Sequence, residues 1–139
     1  MEVDAISNPS YPLAESETKS LLKLYMNDPG ILSSIFYGDN IKAILNDEKS
    51  INLGAIYETA VACQLRANGY DLFYYDNKSK GEVDFIIDDI KTLSVIPLEV
   101  KSGRDFMVHS SLNTFTTNED YGVKKAYVLS NSGTVLKKG

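Results

Sequence analysis

Two short runs constrain this chain most: Glu82-Val83-Asp84-Phe85-Ile86-Ile87 and Pro97-Leu98-Glu99-Val100-Lys101. Both are apolar enough for strands, and the interval between them is short enough to close a hairpin. Yet Asp84, Glu99 and Lys101 stand where a purely structural strand carries valine or isoleucine. A charge set into a strand is costly unless it is paired or bound to a cation. Three together mark a candidate site.

Strand geometry predicts the register. Side chains alternate faces along a strand, so Val83, Phe85 and Ile87 are expected on one face, and Glu82, Asp84 and Ile86 on the other. On the second strand Ile96, Leu98 and Val100 share a face, opposite Val95, Pro97, Glu99 and Lys101. Placing Asp84 across from Glu99 sets Phe85 against Leu98 and Ile87 against Ile96. Burial of such an apolar face fixes register strongly, and the hairpin then closes over Ile90 to Leu93. The two carboxylates would have Cβ atoms roughly 4.5–5.5 Å apart. Carboxylates that close repel unless one is protonated or a cation lies between them. A hard divalent ion suits oxygen ligands, with Mg²⁺ (or Mn²⁺) the first choice. The same register also permits a plainer reading, with Glu82 facing Lys101 in a cross-strand ion pair and Asp84 and Glu99 on a solvated sheet face.

A third acid favours the site. Asn52 to Asn68 lacks proline, is rich in Ala and Leu, and is followed by Gly69, a stop signal just past a helix C-terminus. Apolar or small residues recur at Ile51, Gly54, Ala55, Val61, Ala62 and Leu65, and Glu58 falls on that stripe. A glutamate there must reach solvent, pair or ligate. The lone Cys63 on this helix reads as a small buried hydrophobe.

The remaining elements order themselves around these. Asp71 to Asp76 is an aromatic strand, Phe106 to Thr117 a weak helix, and Lys124 to Ser130 a last strand. From residue 51 onward the expected order is α-β-β-β-α-β, an α/β (α+β) core with a mixed four-stranded sheet flanked by helices. The last strand should return parallel to its neighbour by a right-handed crossover. Residues 1–50 are expected to be an extended, irregular approach with short helices at Pro29 to Tyr37 and Ile41 to Leu45, Asp28 serving as a cap. Another strand starts near Val135. Tyr74 and Tyr75 are either core or an exposed contact surface.

Glutamate on the first helix, Asp84 on the second strand and Glu99-x-Lys101 on the third resemble the PD-(D/E)XK nuclease superfamily. More closely, Lys23-Leu24-Tyr25-Met26-Asn27-Asp28-Pro29-Gly30-Ile31-Leu32, Gly54 to Glu58, Gly81 to Ile86 and Pro97 to Gly103 are similar to the uncharacterised C-terminal domain behind the AAA-type ATPase module of many bacterial and archaeal ATPases. The resemblance covers roughly residues 20 to 130. It implies a restriction-endonuclease-like core over 51–139. It also implies that Asp84 and Glu99 ligate the metal, that Glu58 supports or shares the ligation, and that Lys101 orients or activates the attacking water. Val83 stands where the superfamily motif has proline. The resemblance further implies that the chain is the C-terminal portion of a larger ATPase, with the ATPase domain of that parent and nucleic acid as its partners.

Composition bounds these readings. The 139 residues suit one domain, and 43% apolar residues suffice for a core. No apolar run is long enough to span a membrane, no secretory signal is visible, and one cysteine makes no internal disulfide, so a cytoplasmic location is expected. No phosphate-binding GxxxxGK[ST] loop occurs, so ATP binding is not expected. The single histidine, His109, makes no zinc site with one cysteine and reads as an ordinary surface residue in a Ser-rich stretch, and no Ser-His-Asp constellation is argued from it. Net charge is −5, but residues 1–70 carry five basic against nine acidic side chains, and residues 71–139 carry nine against ten. Lys78, Lys80, Lys91, Arg104, Lys124 and Lys125 are either a modest basic rim or scattered solvated lysines. Two classes of function follow: a Mg²⁺-dependent DNA or RNA endonuclease, or a catalytically silent module of the same fold that binds nucleic acid or protein and regulates the ATPase.

Overall fold

The computed structural model describes residues 1–31, 34, 53–101 and 110–130, and the backbone of 136–138. Its centre is the hairpin of β4 (Gly81–Asp89) and β5 (Ser94–Lys101). Phe85 pairs with Leu98, Ile87 with Ile96 and Asp89 with Ser94, so the turn spans residues 90–93 as the apolar pattern requires. Around it stand β1 (Glu2–Ile6), β2 (Thr18–Leu24), β3 (Phe73–Asn77), β6 (Ala126–Ser130) and β7 (Leu136–Lys138), with helices α1 (Gly54–Ala67) and α2 (Ser110–Thr117).

The sheet has seven strands in the order β2-β1-β3-β4-β5-β6-β7, not four. It is mixed: β1 runs parallel to β3 and β5 parallel to β6, and the other neighbours are antiparallel. The expected parallel return of the last core strand is β6, with Leu98 beside Tyr127. The extra strands come from both ends. β7 is the start expected near Val135, but β1 and β2 replace the expected irregular N-terminus. In β1 the burial of Val3, Ala5 and Ile6 shows why a segment of only five residues holds there: it is clamped between β2 and β3. β2 is an edge strand, exposed at Leu21, Leu22 and Leu24, and gives no clean alternation to read.

Two apolar layers cover the sheet. One joins Val83, Ile86 and Val95 to Leu112 and Phe115 of α2 and to Tyr75 and Tyr121. The other joins Phe85, Ile87, Ile96 and Leu98 to Ala62 of α1 and to Tyr74. Tyr74 and Tyr75 are therefore core residues. Val83 departs from its expected face. Between the pairs Phe73–Ile86 and Tyr75–Val83 the ladder advances two residues on β3 but three on β4. That extra residue is a β-bulge, which reverses the alternation across it and bends the strand. Asp84 sits in the bulge.

Helix α1 begins two residues later than expected and ends as its sequence directs. Gly69, at φ 88°, accepts the left-handed turn, while the Gly69 N–H donates to Arg66 O and the Tyr70 N–H to Leu65 O at 3.0 and 3.1 Å. This closes the helix with the doubly bonded glycine cap. Its buried line is Ile56, Thr59 and Ala62, whereas Ala55 is exposed, so the apolar stripe is rotated from the expected one and Glu58 lies at its margin. Cys63 is only half-buried, its thiol 3.3 Å from Asn27 O. Asp28 Oδ1 accepts from the Gly30 N–H at 2.7 Å, as a cap does. The short helix expected over 41–45, most of that at 29–37, His109, Arg104 and the first residues of the expected 106–117 helix lie outside the described residues.

Candidate functional site

The acids of β4, β5 and α1 meet at the end of the sheet away from the hairpin turn. The β4–β5 ladder stops at Phe85–Leu98. One step further, Asp84 Oδ2 accepts a hydrogen bond from the Val100 backbone N–H at 2.8 Å. A side chain thus takes a donor that ladder pairing would use, and the bulge aims the carboxylate between the two strands. Asp84 is the shared neighbour of the other acids. Burial first, and then its charge, raise the pKa of both Glu58 and Glu99.

Glu99 is the most perturbed. It is 8% exposed, and burial first, then the Asp84 charge, push its carboxyl up to about 8, against a smaller opposing pull from Lys101. Glu58 is held above the ordinary carboxylate range by burial and then by Asp84, with the Tyr25 hydroxyl and Lys23 acting in the other direction. Ile96 and Leu98 face α1 and Val95 faces α2, while Glu99 feels the charges of Asp84, Lys101 and Glu58. Glu58 comes from the α1 side, and Asp84 in the bulge joins them. Among the described residues no three His, Cys, Asp or Glu side chains already form a metal cage. The arrangement is a close pair, Asp84 and Glu99, with Glu58 beyond Asp84.

Lys101 ends β5, half-buried, two residues past Glu99 on the same face. It borders a small cavity of about 160 Å³ shared with Tyr57, Val61, Val100 and Ser130. A larger cavity, about 640 Å³, lies at the hairpin-turn end among Tyr11, Tyr70, Asp88, Lys91 and Tyr127, and none of the four expected site residues lines it. Lys125, which also lines it, pairs with Asp89 at 3.7 Å, and Lys124 donates to Thr92 O at 3.1 Å. These two lysines are therefore tied to the β4–β5 turn.

Glu82 does not form the cross-strand pair expected with Lys101, and Lys23 and Tyr25 join the site. Glu82 pairs across β3 with Asp76 in the ladder and its carboxylate binds Lys23 of β2, not Lys101. Lys23 Nζ also lies 3.8 Å from Glu58 Oε1 and 4.5 Å above the Tyr74 ring. The Tyr25 hydroxyl donates to Glu58 Oε1 at 2.9 Å. Lys23 and Tyr25 belong to the first of the four resemblance blocks. That block is the available signal, but nothing in the spacing says that Tyr25 meets a glutamate 33 residues further along the chain.

A family model described as "Domain of unknown function (DUF4143)" matches residues 53–139. That span covers more than half of the chain, so the chain belongs to this family. No curated protein matches it, and no solved structure does.

Proposed function

We propose that this domain is a nuclease-fold module of the PD-(D/E)XK type that hydrolyses phosphodiester bonds in DNA or RNA with the help of Mg²⁺ or Mn²⁺. In its parent protein it would work beside an AAA-type ATPase domain. One observation carries the reading: Asp84, set in a β-bulge, brings the buried Glu99 and the helical Glu58 to one end of the sheet, with Lys101 two residues from Glu99. The mixed sheet flanked by α1 and α2 supports the reading at the level of fold class.

The donor set fits a hard cation. Mg²⁺ is usually held by one or two carboxylates, keeping its other positions for water and substrate phosphate. Asp84 and Glu99 supply that pair, and a bound cation would take the place of the proton that burial and Asp84 favour on Glu99. Glu58 would act through Asp84 or through a metal-bound water. When bound, the ion polarises the phosphate and acidifies a coordinated water. The protein's own contribution is positional. The Val100 N–H fixes the Asp84 carboxylate, burial and Asp84 favour the protonated Glu99 carboxyl, and Lys101 would orient or activate the attacking water.

A second reading keeps the fold without the chemistry: a silent module that binds protein or nucleic acid and regulates the ATPase. The net charge of −5 favours it, because a nucleic-acid enzyme usually presents a basic surface. The test is cleavage of supercoiled plasmid, branched duplex, single-stranded DNA and RNA under Mg²⁺ and Mn²⁺. Cleavage that requires the metal and disappears in Asp84→Ala and Lys101→Ala supports the enzyme. No cleavage of any substrate, together with partner binding that survives both substitutions, supports the silent module.

A further inference from the structure

The Glu58 carboxylate is held by an element that lies outside the expected core. β2 ends at Leu24, and Tyr25 follows with its backbone N–H bonded to Met1 O at 2.9 Å, so its position is set by the β1–β2 pairing. Its ring tilts against Phe85, with centroids 5.6 Å apart. From there the hydroxyl reaches Glu58 Oε1 at 2.9 Å. Lys23, two residues earlier, reaches the same oxygen at 3.8 Å while bound to Glu82.

We infer that Tyr25 is a positioning residue of the acid cluster: its hydroxyl, with the Lys23 ammonium beside it, fixes the Glu58 carboxylate next to Asp84 so that it can serve as the third acid toward a divalent cation. This inference rests on the metal-dependent reading above and deepens it. Two donors converging on one carboxylate oxygen restrict its rotation, which leaves Oε2 to face Asp84 or a cation. A purely structural tyrosine here would need only its ring against Phe85. The β1–β2 pair is therefore part of the site, because it delivers both donors.

Residues that orient a ligand from behind typically change metal affinity 10–100-fold when removed. The experiment is a Mn²⁺ titration followed by electron paramagnetic resonance on four forms of the full chain: wild type, Tyr25→Phe, Glu58→Ala and the double variant. Tyr25→Phe keeps the ring and its Phe85 contact, and thermal unfolding checks the fold of each form. The expected result is about tenfold or greater weakening in Tyr25→Phe, with no further weakening when Tyr25→Phe is added to Glu58→Ala, because the hydroxyl acts only through that carboxylate. Equal Mn²⁺ affinity in wild type and Tyr25→Phe would overturn the positioning role and leave the metal reading standing. Additive losses in the double variant would also overturn it. Wild type that binds no Mn²⁺ would overturn the metal reading, and this inference with it.

Discussion

Asp84 Oδ2 lies 2.8 Å from the backbone nitrogen of Val100, one residue past Glu99 on the facing strand. This single contact ties the acid cluster to the sheet: the carboxylate that raises Glu99 is itself held by the strand that carries Glu99. An exposed pair of acids would drift apart to relieve their repulsion. Here the backbone bond and the bulge hold them together, so the repulsion is stored until a proton or a cation neutralises it.

The two roles of Asp84 can be separated by substitution. Asn keeps an oxygen for the Val100 N–H but removes the charge beside Glu99, whereas Ala removes both. Leaving that part-buried amide without a partner costs up to about 1–3 kcal/mol. Asp84→Asn should therefore be more stable than Asp84→Ala by about that amount in urea unfolding at pH 8. Both should lose Mn²⁺ binding. Equal stability of the two variants would mean that the backbone contact contributes nothing.

Gly81 opens β4 at φ 103°, a conformation side chains rarely adopt, and a Cβ added there would stand 2.5 Å from the Ser111 hydroxyl of α2. Gly81→Ala should cost about 1–3 kcal/mol from backbone strain, plus whatever displacement of Ser111 adds. The expected outcome is a lower urea midpoint with unchanged slope, relieved in part by Ser111→Gly in the Gly81→Ala background. A neutral substitution would show that α2 yields freely at this edge.

The hairpin register was readable because Phe85, Ile87, Ile96 and Leu98 are all buried, and only one alignment buries them together. Glu58 was readable for a similar reason, as a charge on a helix whose neighbours are apolar. The bulge was not. An alternation rule has no means of inserting a residue, so Val83 was assigned to the wrong face and the aim of Asp84 to simple alternation. The strands β1 and β2 were hidden for a different reason. β1 is five residues long and β2 is an edge with leucines on both faces, so neither carries the periodicity that marks a half-buried strand. Their consequence, the meeting of Tyr25 and Lys23 with Glu58, depends on long-range packing that local pattern does not encode.

Tyr75 and Tyr121 share a buried hydroxyl–hydroxyl hydrogen bond of 3.0 Å beneath α2, their rings 5.7 Å apart with Phe115 beside both. The Tyr121 hydroxyl also bonds Ser7 O at 3.3 Å. Tyr75→Phe removes one partner and leaves Tyr121 its second bond, so the cost should be about 1 kcal/mol. Phe115→Ala, which removes the ring that both tyrosines pack against, should cost about 3–5 kcal/mol. Chemical denaturation of the two variants checks the ranking, and a larger loss in Tyr75→Phe would reverse it.

Glu99 sets a pH dependence whose sign follows from its position. Its folded value, about 8, lies above its ordinary 4.5, because burial and Asp84 favour the neutral acid. The folded protein therefore binds this proton more tightly than the unfolded chain. The corresponding stability is complete below about 4.5 and is lost as pH rises through about 8. Glu58, raised for the same reasons, adds a contribution of the same sign. Urea midpoints should accordingly fall from acid toward mildly alkaline pH, and Glu99→Gln, which cannot ionise, should flatten that decline. Lys101 pulls the Glu99 carboxyl down, so Lys101→Met should move the decline to higher pH. Saturating Mg²⁺ should restore stability on the alkaline side, because a ligand that binds only the folded, ionised form stabilises it by mass action. A midpoint that rises with pH across this window in the wild type, or a Glu99→Gln profile as steep as wild type, would show that Glu99 is already ionised and that the acid pair is not strained.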